Sequence, residues 1–231
     1  MKIFAPPGVF RPRSDTMMLA ELVADEVAPG TRLLDLCTGS GAIAVAAARA
    51  GAAVTAVDVS RRALLTTRLN AIRNGVRVLA LRGDLFEPVT GERFDVIVSN
   101  PPYLPGTDDE LPRRGASRAW EGGADGRHLL DRIIAEAGEH LLPGGMAMVV
   151  HSSVCGIDAT LAKFAAAGLD AAVAERRTGP LGPLVRRRAD LLERRGLLAP
   201  GAREEELVVI SARRPSPRSP AENRPLARSP T

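Results

Sequence analysis

Four consecutive residues could hold a planar nitrogen group for chemistry. Asn100, Pro101, Pro102 and Tyr103 directly follow the apolar run at 95–99. Proline fixes φ and has no backbone N–H, so the carbonyls of Asn100 and Pro101 can be presented at a set angle. The Asn100 side chain adds an acceptor, and Tyr103 offers a flat face for stacking. Two acceptors on one NH2 group would draw its nitrogen lone pair out of conjugation and aim it. An ordinary strand-to-turn exit uses the same residue types, so the tetrapeptide alone leaves both interpretations open.

A glycine-containing turn lies upstream of this tetrapeptide. An apolar strand at 33–36 runs into Cys37, Thr38, Gly39, Ser40 and Gly41, and an alanine-rich helix follows. The two glycines let the backbone approach a ligand closely, and a helix N-terminus favours polar or negative groups. Residues 39–44 also fit the dinucleotide fingerprint with alanine in its last position, so a nicotinamide cofactor remains open at this stage.

Acidic residues close the next two predicted strands. Asp58, followed by Val59, ends the apolar run at 53–57, and its carboxylate could accept two ribose hydroxyls. Asp84 and Leu85 follow the predicted strand at 77–82. Asp84 could accept a hydrogen bond from an adenine amino group, and Leu85 could pack against the ring.

The three strand exits, followed by the tetrapeptide, resemble those of class I S-adenosylmethionine-dependent methyltransferases. The resemblance implies a Rossmann-like α/β fold with a seven-stranded, mostly parallel sheet, helices on both faces and a C-terminal antiparallel hairpin. It implies S-adenosyl-L-methionine as the cofactor. The cofactor-binding residues it implies are Thr16, Asp35, Cys37, Thr38, Gly39, Gly41, Asp58, Val59, Asp84, Leu85 and Asn100. The catalytic residues it implies are Asn100, Pro101, Pro102 and Tyr103.

Helix and strand patterns alternate along the chain in the βαβ order that indicates a parallel sheet. Strands are predicted near 31–37, 53–58, 77–82, 94–99, 146–151, 169–178 and 205–213. Helices are predicted near 14–27, 40–50, 60–74, 125–142, 158–167 and 186–195. The last two strands are expected to pair antiparallel.

Length and composition indicate one soluble domain. The chain has 231 residues, of which 45% are hydrophobic, so it can bury a sizeable core. We predict a single domain at 1–212, with residues 180–203 inserted in the last hairpin. Residues 213–231 are predicted to be a disordered tail, since arginine, proline and serine dominate and few apolar residues are present.

Charge and cysteine content narrow the function classes. Five arginines and one glutamate in residues 213–231 equal the whole formal net charge of +4, so the domain itself is formally neutral. A neutral domain with 3% aromatic residues argues against nucleic acid as a direct substrate. Two distant cysteines fit a reducing cytoplasm, and no short spacing of histidines or cysteines suggests a metal site. No run reaches the roughly 18 apolar residues of a membrane span.

Further motifs narrow the resemblance. Residues 10–16 (FRPRSDT), the turn at 35–41, the tetrapeptide at 100–103 and residues 120–127 (WEGGADGR) are together similar to HemK-type release factor glutamine methyltransferases. The similarity covers about residues 8–212. The glycine turn arrives by residue 39, so the chain looks most like the compact branch without the N-terminal helical domain. Cys37 stands where the family usually has glycine.

This resemblance implies N5-methylation of a glutamine side chain in a translation release factor. It also implies that a small zinc-binding activator subunit could be a partner. Alternatives remain open: methylation of adenine in nucleic acid, of protein lysine or of a small biosynthetic metabolite, and a non-catalytic module that senses the cofactor. The acidic run at 108–110 is interpreted as solvated surface.

Overall fold

The computed structural model describes residues 1–107 and 116–216. The predicted acidic run at 108–110 and the predicted tail beyond residue 216 lie outside the described residues. Seven strands occur in the described part: Arg32–Leu36 (β1), Ala53–Asp58 (β2), Val78–Arg82 (β3), Phe94–Ser99 (β4), Leu141–Ser152 (β5), Asp170–Pro180 (β6) and Glu204–Arg213 (β7). The α-helices there are Ser14–Glu26 (α1), Ala42–Arg49 (α2), Arg61–Arg73 (α3), His128–His140 (α4), Ile157–Ala166 (α5), Pro183–Arg187 (α6) and Ala189–Arg194 (α7).

The strands form one sheet in the order β3-β2-β1-β4-β5-β7-β6. Neighbouring strands from β3 to β5 are parallel, whereas β7 is antiparallel to both β5 and β6. The predicted seven-stranded, mostly parallel sheet with a C-terminal antiparallel hairpin is therefore confirmed. The chain leaves β1 and β4 in opposite directions along the sheet, and such a switch point opens a crevice beyond the carboxyl ends of the strands.

Each face of the sheet carries its own hydrophobic core. On one face, α1 and α2 pack on the sheet through residues such as Met18 and Ile43. On the other face, α4 and α5 pack through residues such as Ile133 and Phe164. Because both faces are covered, the central strands are apolar on both sides, which explains their continuous hydrophobic runs.

Residues 181–203 build a third, smaller core beside the sheet. Leu181, Val185, Leu192 and Leu198 pack there on Leu104, which follows the tetrapeptide. The single helix predicted near 186–195 is two helices in the structure. Their break falls at Arg188, where φ is −112° and ψ is 9°.

The start of β5 differs from the prediction. β5 begins at Leu141 and includes the Pro-Gly-Gly segment at 143–145, which was expected to separate a helix from the strand. β7 ends at Arg213, as the strand predicted at 205–213 does, because Arg213 still pairs with Met146 and Asp170. Among the described residues, no helix is both long and apolar enough to cross a membrane.

Candidate active site

A cavity of about 730 Å³ opens at the carboxyl ends of the parallel strands. Most of the residues predicted from the sequence line it: Thr16, Cys37, Thr38, Gly39, Asp58, Val59, Asp84, Leu85, Asn100, Pro101, Pro102 and Tyr103. Asp35 and Gly41 are not in its wall and lie behind the glycine turn. The strand ends therefore bring four separate sequence motifs to one crevice.

The turn after β1 depends on left-handed backbone conformations. Gly39 and Gly41 have φ values of +56° and +78°. A Cβ on Gly41 would lie 2.7 Å from Cγ2 of Thr67 on α3. Gly41 is thus required both by its φ and by the close approach of α3, which accounts for its position behind the cavity wall.

Cys37 occupies a left-handed conformation without being glycine. Its φ is +58°, a region that costs a side-chain-bearing residue roughly 1–2 kcal/mol. Burial raises the pKa of its thiol far above the usual range, and the nearby carboxylates of Asp58 and Asp35 raise it further. The thiol therefore stays protonated and is a poor nucleophile, so its effect on the site is steric.

Asp35 supports the turn from behind. Its side chain is buried, and its Oδ2 accepts a 2.6 Å hydrogen bond from the Thr38 hydroxyl. Its Oδ1 has no hydrogen-bond partner among the described residues. Burial raises the pKa of Asp35 to about 7, although the hydrogen bond from Thr38 opposes that rise. Asp35 therefore fixes Thr38, which faces the cavity.

Asp58 is held by backbone donors at the end of β2. Its Oδ2 accepts from the Gly39 N–H at 3.0 Å, and its Oδ1 accepts from the Ser60 N–H at 2.8 Å. Burial raises the pKa of Asp58, and these two hydrogen bonds lower it. Each carboxylate oxygen keeps a further lone pair that can accept a hydroxyl proton. The carboxylate is thus fixed in direction and still able to bind a diol.

Asp84 has a partner that the sequence gave no sign of. Arg132 on α4 donates to both of its oxygens, Nη2 to Oδ2 at 2.8 Å and Nη1 to Oδ1 at 3.3 Å. Next to Asp84, the buried Leu85 has a φ of +48°. Arg132 also lines the cavity. The end of β3 therefore presents to the cavity a carboxylate that is already paired and an apolar side chain whose backbone is strained.

The orientation of the Asn100 amide is set by the first turn of α1. Its Nδ2 donates to Asp15 Oδ2 at 3.2 Å and to Thr16 Oγ1 at 2.9 Å. A carboxylate only accepts hydrogen bonds, so the NH2 side of Asn100 must face Asp15. Because the amide N–H groups are engaged, Oδ1 is left as the acceptor that can serve a substrate.

Tyr103 joins the same network. Its hydroxyl donates to Asp15 Oδ2 at 2.8 Å. Burial raises the pKa of Tyr103 well above its usual value, and the neighbouring Asp15 carboxylate adds to the rise. Tyr103 therefore remains a protonated hydrogen-bond donor, anchored by its hydroxyl.

Serine and aspartate are favoured N-cap residues, so the sequence predicts Ser14 or Asp15 as the cap of the first helix. The N-cap of α1 is Arg13, and the Thr16 hydroxyl accepts from the Arg13 N–H at 3.4 Å. Asp15 is 4% exposed and faces Asn100. The prediction that Ser14 or Asp15 caps the helix is therefore wrong, because both lie inside its first turn and Asp15 faces inward.

Residues 181–203 hold the loop that follows the tetrapeptide. Arg188 donates to the Pro105 carbonyl at 2.6 Å and pairs with Glu121. Arg195 donates to the carbonyls of Gly106 and Ala124 at 2.7 and 2.8 Å. Arg188 and Arg195, which flank α7, thus tie residues 181–203 to this loop.

The comparisons with known proteins agree with this geometry. A family model described as "Methyltransferase small domain" matches residues 1–113. A curated relative from Methanocaldococcus jannaschii, named "Putative protein N5-glutamine methyltransferase", is 34% identical over 80% of this chain and 93% of its own length. This chain belongs to the HemK-type protein glutamine methyltransferase family.

Other members and structural neighbours show how far the likeness extends. A release factor glutamine methyltransferase from Gloeobacter violaceus is 42% identical over 61% of this chain, which spans only 53% of that relative. The chain therefore spans about half the length of such bacterial members of the glutamine methyltransferase family.

The E. cuniculi Mtq2–Trm112 complex, described as responsible for methylation of eRF1, shares the fold with a TM-score of 0.62. Identity is 23%, and the match covers 90% of this chain and 99% of that one. A methyltransferase from Pyrococcus furiosus also matches, with a TM-score of 0.61 and 19% identity, over 91% of this chain and 87% of its own. At these identities the two structures support the fold.

Proposed function

We propose that this protein transfers a methyl group from S-adenosylmethionine to the side-chain amide nitrogen of a glutamine in a translation release factor. The observation that carries the proposal is the fixed orientation of Asn100, whose NH2 group binds α1 and whose Oδ1 is left to accept. The names of the curated relatives support the choice of acceptor. Such a substrate would place the enzyme in the cytoplasm with the translation machinery.

The cavity suits the proposed cofactor. Its volume of about 730 Å³ lies within the roughly 300–1,000 Å³ usual for ligand pockets. The fixed carboxylate of Asp58 suits a ribose diol, and Leu85 with Asp84 suits an adenine ring and its amino group. The glycine turn gives the backbone close access to the remaining part of the molecule. S-adenosylmethionine, when bound, supplies a methyl group on a positively charged sulfur.

Positioning is the main contribution that these residues can make to the reaction. Asn100 Oδ1 and the Pro101 carbonyl would accept the two hydrogens of the substrate amide and hold its nitrogen in one direction. Fixing two reactants in a reactive geometry can account for about 7–11 kcal/mol of a barrier. Tyr103, anchored on Asp15, would pack over the amide. The surplus proton of the nitrogen becomes acidic as the methyl group arrives, so no strong base is required.

Transfer of labelled methyl groups tests the proposed function. Purified protein, labelled S-adenosylmethionine and a purified release factor should give a labelled product whose modified residue is identified by mass spectrometry. A release factor in which the modified glutamine is replaced by alanine should remain unlabelled. Labelling of that altered substrate at an equal rate would refute the glutamine assignment. Labelling of RNA or of a lysine would refute it as well and would identify one of the alternative acceptors.

A partner surface is part of the same proposal. Three of the eight exposed large hydrophobic side chains in the described residues follow one stripe of α3, at the spacing i, i+4 and i+7: Leu65, Leu69 and Ile72. β3 is an edge strand, and its unpaired backbone groups adjoin this patch. Arginines 61, 68 and 73 lie on the same helix, and Arg77 directly precedes β3. We propose that a small accessory protein with an apolar centre and an acidic rim docks here, since the structural neighbour Mtq2 is described in complex with Trm112.

Binding measurements with one matched pair of variants test this surface. Leu69→Asp should weaken binding of a purified Trm112-like protein from the same genome by about 30-fold or more, because it places a charge in an apolar contact. Met17→Asp alters an exposed hydrophobic residue on α1 and should leave binding unchanged. Equal binding by both variants would refute this surface.

A further inference from the structure

One buried side chain on α3 connects two segments that border the cavity. Asn70 is fully buried, with 0% of its surface exposed. Its Nδ2 donates to the Ser40 carbonyl at 2.8 Å, in the turn between Gly39 and Gly41. The same Nδ2 donates to the Phe4 carbonyl at 2.8 Å, and Oδ1 accepts from the Phe4 N–H at 2.9 Å. Both amide hydrogens are therefore used, one for each segment.

The N-terminal segment leads from Phe4 directly to the cavity. Gly8, Val9, Phe10 and Pro12 line it, and we call residues 6–13 the covering segment. A Cβ on Gly39 would lie 3.9 Å from Cβ of Phe10, so the covering segment and the glycine turn face each other closely. The distance between these two walls determines the space available to a ligand.

A neighbouring residue on α3 supports the same turn. The Thr67 hydroxyl donates to the Gly39 carbonyl at 3.2 Å. With Asn70 on the Ser40 carbonyl, α3 fixes two successive carbonyls of the turn. Asn70 differs from Thr67 because it also binds the N-terminal segment.

We propose that Asn70 is a positioning residue for cofactor binding, which sets the spacing between the glycine turn and the covering segment. This inference rests on the proposed function, since the cofactor is taken to be S-adenosylmethionine. It goes further because Asn70 does not line the cavity and acts through Ser40 and Phe4.

The chain offers a matched control one helical turn away. Asn74 binds the N-terminal segment in the same manner, with Oδ1 accepting from the Lys2 N–H at 3.1 Å and Nδ2 donating to the Lys2 carbonyl at 3.0 Å. Its hydrogen bonds join Lys2 and the Asn70 carbonyl, and none of them reaches the glycine turn. Asn74→Asp therefore makes the same chemical change in a side chain that also binds the N-terminal segment, but it does not alter a contact to the cavity wall.

Calorimetric titration with S-adenosylmethionine tests the inference. Asn70→Asp keeps the acceptor for the Phe4 N–H but removes both donors and opposes a carboxylate to the carbonyls of Ser40 and Phe4. The dissociation constant should rise by about 10-fold or more in this variant and by less than about 2-fold in Asn74→Asp. At saturating cofactor, kcat should stay within about 3-fold of wild type, since the residues around Asn100 are unchanged.

A merely structural role would give a different result. In that case Asn70→Asp would lower the thermal midpoint while cofactor affinity stayed equal to that of Asn74→Asp, and the inference would be overturned. If Asn70→Asp does not fold, deletion of residues 2–5 tests the same contact by removing Phe4, the partner of Asn70 in the N-terminal segment. It should weaken binding by about 5-fold, because the covering segment loses its anchor; unchanged affinity would overturn the inference. A wild-type protein that binds no S-adenosylmethionine would instead refute the proposed function itself.

Discussion

Replacing Asp15 by asparagine should reverse the amide of Asn100 without altering the shape of the site. Asp15 Oδ1 accepts from the Thr16 N–H at 2.6 Å, so the oxygen of the introduced amide must take that place. Its NH2 group would then occupy the position of Oδ2, facing the donors of Asn100 and Tyr103. Two donors cannot share a hydrogen bond, so Asn100 gains by turning its oxygen toward α1. Its NH2 would then point into the cavity.

The magnitude follows from the two hydrogen bonds on Oδ2, from Asn100 at 3.2 Å and from Tyr103 at 2.8 Å. A hydrogen bond to a charged group contributes about 1.5–3 kcal/mol, so the preference of Asn100 for its functional orientation is of that order. Loss of one positioned hydrogen-bonding group in an active site typically lowers kcat by roughly 10²–10³-fold. We expect kcat of Asp15→Asn to fall by about 100-fold.

Single-turnover methyl transfer to a release factor, with cofactor affinity measured separately, checks this expectation. The dissociation constant of S-adenosylmethionine should change by less than about 3-fold, because the contacts of Asp58 and Asp84 are untouched. Asp25→Asn makes the same substitution on an exposed part of α1 and should have no effect. A kcat of Asp15→Asn within about 3-fold of wild type, or an equal loss in both variants, would refute the reasoning.

Three further predictions concern the cofactor side. Asp58→Ala should raise the dissociation constant of S-adenosylmethionine by about 10–100-fold while kcat at saturation falls less, because two hydroxyl contacts are lost; a loss confined to kcat would contradict the assignment. Cys37→Gly should leave the free energy of unfolding in urea within about 1 kcal/mol of wild type, because relief of the strain at positive φ offsets the added entropy of the unfolded chain. Cys37→Val should lower it by about 2 kcal/mol. Equal free energies of unfolding for the two variants would contradict the strain argument. Burial raises the pKa of Asp35 to about 7 from 3.8, so between these values the folded chain holds the proton more tightly and a rise in pH favours unfolding. The stability of the cofactor-free protein relative to Asp35→Asn should therefore decrease from pH 4 to pH 7 and then level off; a constant difference would refute the shifted pKa.

Local sequence patterns were enough to predict the strands and helices and the edge of the sheet at which the candidate site lies. Apolar runs of four to six residues that end in glycine, aspartate or asparagine indicate buried parallel strands, and the carboxyl ends of such strands share one edge of a sheet. Thr38, Asp58, Asp84 and Asn100 were therefore predicted to line one crevice, and the structure brings them to one cavity. Boundaries were less accurate: a proline-glycine segment such as 143–145 normally separates elements, yet β5 includes it.

The chemistry of individual groups depended on contacts between distant parts of the chain. Asn100 is 85 residues from Asp15, Asp84 is 48 from Arg132, and Asn70 is 30 from Ser40. No spacing rule relates such pairs, because helix packing on the sheet determines which side chains meet. The left-handed conformation of Cys37 belongs to the same class, since the turn between β1 and α2 imposes it on a residue that does not favour it.

The sequence by itself therefore determined the kind of sheet, the order along the chain of the strand ends that line the cavity, and the residues proposed to bind a nucleoside and an amide. Only the tertiary structure decided which end of the Asn100 amide faces the cavity, which carboxylate is already paired, and which buried amide joins the cavity walls. The physical reason is the distance along the chain over which each effect acts. Hydrophobic periodicity and turn chemistry act over a few residues, whereas the direction of a hydrogen bond is fixed by whatever packing brings within 3 Å.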